Sequence, residues 1–279
     1  MTDLRPTPHH PLAAPAGSLE ALRAALRAHR SLVVAFSGGA DSALLAWVAT
    51  DELGPERVRC VTAVSASLPA DELEHCRALA AEWGLSWSTV ATDELDRPAY
   101  AANGADRCYH CKDALAGAIE PLLAEGGAAL ALGVNLDDLD DHRPGQRAAA
   151  ERGAVFPLVE AGFTKALVRV RSRELGLRTA DRPAAACLAS RVPYGTPVTL
   201  GVLREVEAAE AGLHRLGFDD LRVRHHGHLA RIEVPLDRLA EVVERRVDVV
   251  GVVRSAGYRS VTLDLEGLRS GNLNDLLRH

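Results

Sequence analysis

The chain has 279 residues, 47% of them hydrophobic, and a formal net charge of -6, enough to bury a substantial core and to build one large and one small domain. That charge offers no global basic field to nucleic acid or an anionic membrane, and the longest apolar runs, "SLVVAF" and "GAALALGV", are too short to span a bilayer. The opening "MTDLRPTPHHPLAAPAG" lacks the basic-then-apolar order of a secretory signal, so the expectation is a soluble cytoplasmic protein with a loose tail over residues 1–17.

From Ser18 onward helices and strands alternate. Leu19, Leu22 and Leu26 recur at helical spacing behind Ser18 as N-cap. The strand "SLVVAF" follows, then a glycine turn, the helix "DSALLAWVATDEL", and the strand "RVRCVTAVS". A helix over Leu73 to Trp83 leads to a strand near "SWSTVAT"; after a cysteine-bearing segment, the helix "DALAGAIEPLLAE" precedes the strand "GAALALGV". Near-continuous apolar strands separated by helices predict a parallel sheet covered on both faces, which binds ligands at the carboxyl ends of its strands. Beyond Tyr194 the pattern changes. A helix "VLREVEAAEAGLHRLG", a strand "LRVRHHGHLARIEVP", a helix "LDRLAEVVERRVDVV" and a strand "SVTLDLE" predict a small α+β unit. The expected division is residues 18–199 and 200–279.

Five cysteines, an odd number, argue against a disulfide framework. Cys60 sits in an apolar strand and Cys76 on the apolar face of a helix, and both are expected in the core. Cys108, Cys111 and Cys187 have no such packing role. Cys187 in particular lies among small residues, close to Arg191 and a Pro-Tyr-Gly turn.

The most informative stretch is "VVAFSGGADSALLAWVA", where a strand ends and Ser37, Gly38, Gly39, Ala40, Asp41 and Ser42 open a helix. Two glycines let backbone N–H groups approach an anion, the helix end is electropositive, and the serines add hydroxyls. Asp41 would repel a bare phosphate, so it points to a divalent cation or an orienting role. There is no lysine in the place a Walker A loop requires.

This loop resembles that of the PP-loop ATP pyrophosphatases. Together with "RCYHCK" (107–112), "LGVNLDDLDDHRPG" (132–145), "PLVEAGFTKALVR" (157–169), "AACLASRVPYG" (185–195), "RVRHHGHLARIEV" (222–234) and "GYRSVTLDLEGLRSGNLN" (257–274), the chain is similar to the LarE family over its whole length from about Ser18. The resemblance implies an α/β fold: a parallel-sheet PP-loop ATP pyrophosphatase domain, adenine nucleotide alpha hydrolase-like, with a smaller C-terminal α+β domain. It also implies an ATP-dependent sulfur transferase acting on a pyridinium mononucleotide in biosynthesis of the nickel-pincer nucleotide cofactor of lactate racemase. A carboxylate of pyridinium-3,5-biscarboxylic acid mononucleotide is adenylated, pyrophosphate leaves, and sulfur displaces AMP. A homo-oligomer is implied, a hexamer among the forms such a family takes, with no nucleic-acid or membrane partner.

Residue by residue, the resemblance places Cys187 at the sulfur-donor position, with Arg191 near enough in sequence to supply positive charge. In single-cysteine members sulfur leaves the protein as dehydroalanine forms. Other members hold a [4Fe-4S] cluster on three cysteines, and Cys108, Cys111 and Cys187 match that set. A C-x-x-C pair read alone also admits zinc, with His110 as a further ligand. Ser37, Gly38, Gly39, Asp41, Ser42, Asn135, Asp138 and Lys165 are the expected ATP contacts, with Asp41 holding Mg²⁺ and Asp137 a weaker candidate. Arg222 and Arg224 share one face of a strand by period-2 alternation and suit the substrate phosphate; Glu210 is a candidate for a second cation. Two other readings are a PP-loop tRNA thiolase, disfavoured by the acidic charge, and a nucleotide-binding regulator with structural zinc.

Overall fold

The computed structural model describes residues 14–139, 144–182 and 186–269. Most of the expected N-terminal tail, part of the acidic stretch after Leu139, Pro183 to Ala185 and the last ten residues lie outside these.

The first unit comprises α1 (Leu19–Arg27), β1 (Leu32–Ala35), α2 (Ala40–Leu53), β2 (Val58–Val64), α3 (Ala70–Glu82), β3 (Trp87–Ala91), α4 (Pro98–Ala101), α5 (Arg107–Gly126), β4 (Ala129–Leu132), α6 (Pro144–Glu151), α7 (Pro157–Glu160) and α8 (Lys165–Glu174). Its four strands are parallel in the order β3-β2-β1-β4. Alternation along each strand feeds two cores. Leu32, Val34 and Cys60 face α1, α2 and α8, whereas Val33 and Val61 face α5. Covering both faces is what makes these strands read as continuous apolar runs. Ser18 caps α1, its Oγ accepting from Ala21 N at 3.1 Å. Gly17, the last residue of the expected loose tail, is docked, its N–H donating to Ala161 O at 2.7 Å.

The cysteine-bearing segment is not a connector: Cys108 and Cys111 lie in the first turns of α5. Cys60 and Cys76 are buried in the core.

The second unit comprises α9 (Leu200–Arg215), β5 (Arg222–His226), β6 (Leu229–Glu233), α10 (Leu239–Glu244), α11 (Arg246–Ser255) and β7 (Ser260–Leu263). Two expectations are corrected. The single strand "LRVRHHGHLARIEVP" is an antiparallel hairpin, β5 with β6, turning at Gly227, whose φ of +63° lies in the left-handed region that glycine tolerates. The single helix over 236–250 is two helices interrupted at Arg245. β7 pairs in parallel with β6.

Helix α9 joins the units. Leu203 and Val206 pack with Tyr100, Leu188, Ala189 and Val192 of the first unit, while Ala209 and Leu213 enter the core with Phe218, Val223 and Ile232. The seam so formed holds the Cys187 segment. Among the described residues no helix is long and apolar enough to cross a membrane.

Candidate active site

The residues singled out from sequence gather into three adjoining groups. The first is the loop at the carboxyl end of β1. Gly38 has φ +69°, and a Cβ there would lie 2.9 Å from the His75 ring and 3.1 Å from Cys76 Sγ; the loop lies directly on α3, and only glycine fits. Ser42 Oγ accepts from Ser37 N (3.2 Å), contacts Ser37 Oγ (3.0 Å) and donates to Gly39 O (3.1 Å), closing a small ring before α2 begins. Gly39 is the N-cap and supplies no side-chain acceptor, which leaves the first N–H groups of α2 for an anion.

Asp41 is held from two sides. Asn135 Nδ2 donates to its Oδ1 at 3.1 Å, and Lys165 Nζ pairs with its Oδ2. Asn135 is itself fixed by a capping box: its N–H donates to Asp138 Oδ2 (3.1 Å) and its Oδ1 accepts from Asp137 N (3.0 Å). Asp137 in turn accepts from Lys165 N at 2.8 Å. Residues 94 and 124 positions apart in sequence thus converge on one carboxylate. Gly133 was missed in the sequence. A Cβ there would fall 2.7 Å from Ser42 N and 2.9 Å from Asp41 C, so β4 must end on a glycine to let the loop pass.

The second group is the sulfur cluster. Cys108 is exposed, Cys111 and Cys187 half-buried, and the latter two pack on the Tyr100–Leu188–Val192 cluster. Burial pushes the Cys111 thiol up to about 12, with the neighbouring Cys187 and Cys108 sulfurs adding to the shift and Lys112 opposing it. Cys187 precedes a 3-10 turn, Leu188–Arg191, and Leu188 N donates to Ser67 O at 2.9 Å, tying the Cys187 segment to the loop just after β2. Among the described residues no group of three or more His, Cys, Asp or Glu side chains is arranged to hold a single metal ion, so the zinc set considered from sequence has no assembled counterpart there. His110 instead contacts Asp106 at 3.2 Å.

The third group lines a cavity of about 310 Å³ at the seam, bounded by Glu72, Arg182, Ala186, Arg191, Glu210 and Arg222 among others. Arg191 does not reach for the Cys187 thiol. Its Nε and Nη2 pair with both oxygens of Glu210 (2.9 and 3.0 Å), and Nη1 donates to Ala186 O (2.8 Å), Cys187 O (3.3 Å) and Ser190 Oγ (3.1 Å). Glu210 also accepts from Val223 N at 2.8 Å. The two strand arginines differ. Arg224 is buried in a bidentate pair with Glu233 (3.0 and 2.8 Å) and donates to Ser190 O. Arg222 faces the cavity; burial and the nearby Arg191 and Arg224 charges lower its basicity, with Glu233 and Glu210 opposing.

Comparison with known proteins adds three observations. The NAD synthase family model matches residues 20–113, the stretch containing the loop and the start of α5. A curated protein of Lactiplantibacillus plantarum, pyridinium-3,5-bisthiocarboxylic acid mononucleotide synthase, is 38% identical over 257 residues, 92% of this chain and 93% of that protein. The chain belongs to this synthase family. The protein slr1717 of Synechocystis, of uncharacterised function, is 45% identical over 88% of this chain and 92% of its own length. Family membership thus extends over both units and all three residue groups, whereas the NAD synthase match stops within α5.

Proposed function

We propose that this protein is an ATP-dependent sulfur transferase that converts a carboxylate of a pyridinium biscarboxylic acid mononucleotide to a thiocarboxylate. The observation that carries the reading is a strand-end loop built for a phosphate chain in one chain with a cysteine, Cys187, whose two sequence neighbours Ala186 and Leu188 line the seam cavity. The Lactiplantibacillus relative, a synthase of pyridinium-3,5-bisthiocarboxylic acid mononucleotide, supports a thiocarboxylate product of this class.

In this reading Ser37, Gly38, Gly39 and Ser42 hold the β- and γ-phosphates of ATP through backbone N–H groups and hydroxyls. Asp41, positioned by Asn135 and Lys165, is the oxygen ligand for Mg²⁺, with Lys165 able to turn from Asp41 to a phosphate oxygen. Arg222 takes the substrate's phosphate in the cavity, while Arg224 and Glu210 hold the walls through their buried pairs. The substrate carboxylate oxygen attacks the α-phosphorus, a P–O bond breaks, and pyrophosphate leaves. Sulfur then adds to the acyl carbon and expels AMP, a leaving group that a free carboxylate could not provide.

Three thiols are the donor chemistry an iron–sulfur cluster takes: Cys108 and Cys111 share the start of α5, and Cys111 and Cys187 pack on one apolar cluster, though among the described residues the three do not form one metal-holding group. Cys108, Cys111 and Cys187 would be the ligands, and such a cluster supplies a renewable sulfur. Without it Cys187 is the nucleophile and forms a thioester; loss of its α-proton with carbon–sulfur cleavage then gives thiocarboxylate and dehydroalanine. The test of the ATP step is pyrophosphate release in the presence of Mg²⁺ and the pyridinium mononucleotide. Release that needs the mononucleotide and collapses in Asp41→Asn supports the reading; release without any dependence on the mononucleotide contradicts it.

A further inference from the structure

Arg107 opens α5 and is a buried charge beside the cysteine pair. It lies one residue before Cys108 and is only 3% exposed. Its Nη1 donates to Asn103 Oδ1 at 2.6 Å and to Ala189 O at 2.8 Å, and its guanidinium sits 5.7 Å from the centre of the Tyr194 ring. No carboxylate pairs with it among the described residues, although a buried charge ordinarily finds one. A guanidinium keeps its charge in a protein, and the Ala189 carbonyl it bonds lies two residues beyond Cys187. Both described hydrogen bonds leave through Nη1. The Nε–H and Nη2 hydrogens therefore have no partner among the described residues.

A second, independent feature fixes this cation in place. Asn103 is fully buried and has φ +56°, the one positive φ outside glycine among the described residues. Such a conformation is uncommon and persists where surrounding structure enforces it. Its Nδ2 donates to Pro193 O (2.8 Å), Thr196 O (2.9 Å) and Val192 O (3.3 Å), while its Oδ1 receives Arg107. The side chain of this one residue thus ties the start of α5 to the segment that follows Cys187, and holds the guanidinium between them. Arg191, by contrast, has every nitrogen engaged.

We propose that Arg107 is a catalytic residue of the sulfur-transfer step, its free guanidinium edge holding the carbonyl oxygen of the activated carboxylate. This rests on the sulfur-transferase reading above. As sulfur bonds to the acyl carbon, the C=O electron pair moves onto oxygen and the Arg107 N–H groups carry that charge. The pair then re-forms C=O, the bond to the AMP oxygen breaks, and AMP leaves with its electrons. Arg107 loses no proton and no redox partner is needed. The role is the same whether the sulfur belongs to the Cys187 thiolate or is held by it in another form.

The test compares two partial reactions in the full-length protein: pyrophosphate release, and single-turnover thiocarboxylate formation from the pyridinium mononucleotide. Loss of one oxyanion donor costs about 10²–10³-fold in rate, so Arg107→Ala is expected to slow sulfur transfer by that factor while pyrophosphate release falls less than about threefold. Added guanidinium should recover part of the loss and methylammonium should not. Arg107→Lys, which keeps the charge but not the planar edge, should fall between and guards against a folding defect. Sulfur transfer at the wild-type rate in Arg107→Ala overturns the proposal. So does equal loss of both partial reactions in both variants without guanidinium rescue, which would mean a structural clamp. A wild-type protein that releases pyrophosphate yet makes no thiocarboxylate sinks the underlying reading and the proposal with it, and that outcome is read before any variant is made.

Discussion

Gly133→Ala isolates the claim that β4 ends on glycine so that the nucleotide loop can pass. The added methyl would lie 2.7 Å from Ser42 N and 2.9 Å from both Asp41 C and Ser42 Cα, all backbone. Neither side can yield cheaply. Ser42 begins the first turn of α2, whose Ala43, Leu44, Leu45 and Ala46 are fully buried, and Gly133 follows Leu132 at the end of a paired strand. Overpacking of this kind costs about 1–3 kcal/mol. If half of that falls on the bound conformation of the loop, about 0.5–1.5 kcal/mol, ATP affinity drops about 2- to 12-fold, since 1.4 kcal/mol is a factor of ten. Isothermal titration with ATP and Mg²⁺ reads the affinity, and urea unfolding reads the global cost. Gly117→Ala is the control: nothing lies within 4 Å of its added methyl, and in a helix the change should stabilise by about 0.4–1 kcal/mol. Wild-type affinity and stability in Gly133→Ala would refute the close approach.

Three further outcomes follow from particular contacts. Glu210→Gln removes the charge that pairs with Arg191 while both are buried, and breaking such a pair costs about 3–5 kcal/mol; urea unfolding should show it, together with weakened substrate binding at the seam. His75, half-buried against Gly38, has its basicity lowered by burial first and then by Arg182 and Arg178, with Glu72 opposing. A histidine harder to protonate when folded binds fewer protons than in the unfolded chain, so its contribution makes stability fall as pH drops below about 6.5 and levels off above it. His75→Gln should flatten that part of the stability–pH curve; an unchanged slope would exclude His75 as its source. Alkylation at pH 8 followed by mass spectrometry should modify exposed Cys108 well before Cys111, whose thiol is pushed up to about 12, or buried Cys60 and Cys76. Labelling of Cys111 at the rate of Cys108 would contradict the described burial.

The first sheet was readable because the faces of β1, β2 and β4 are covered: β1 and β4 are unbroken apolar runs and β2 nearly so, and helices announce themselves between them, whereas edge strand β3 is half polar and exposed. The hairpin was not. In "HHGHL" a single glycine stands among histidines, with neither a paired turn dipeptide nor a break in polarity to mark two strands. The helix over 236–250 likewise contains neither Gly nor Pro where it breaks at Arg245. Side-chain roles divided along the same line. Local chemistry marks the strand-end loop, and Asp41 invites a cationic partner, but that the partner is Lys165, 124 residues on, is a matter of tertiary packing. Arg222 and Arg224 read as one row, and although the hairpin register sets Glu233 opposite Arg222, its side chain pairs diagonally with Arg224, while Arg222 faces the cavity. Arg107 stood in the motif "RCYHCK", but its burial and its bond to Ala189 O, 82 positions away, are tertiary facts with no local pattern. Gly133 was equally silent, because a close approach between β4 and α2 has no local pattern.

The central claim is sulfur transfer to an activated carboxylate, and the nucleotide product tests it most directly. Anaerobically prepared protein would be incubated with ATP, Mg²⁺ and pyridinium-3,5-biscarboxylic acid mononucleotide, and the mononucleotide analysed by mass spectrometry beside a Cys187→Ala variant. The account predicts oxygen replaced by sulfur in a carboxylate, matched by AMP, and neither replacement nor matched AMP from the variant. A mononucleotide recovered unaltered from the wild-type reaction, or sulfur incorporated equally well without Cys187, would contradict it.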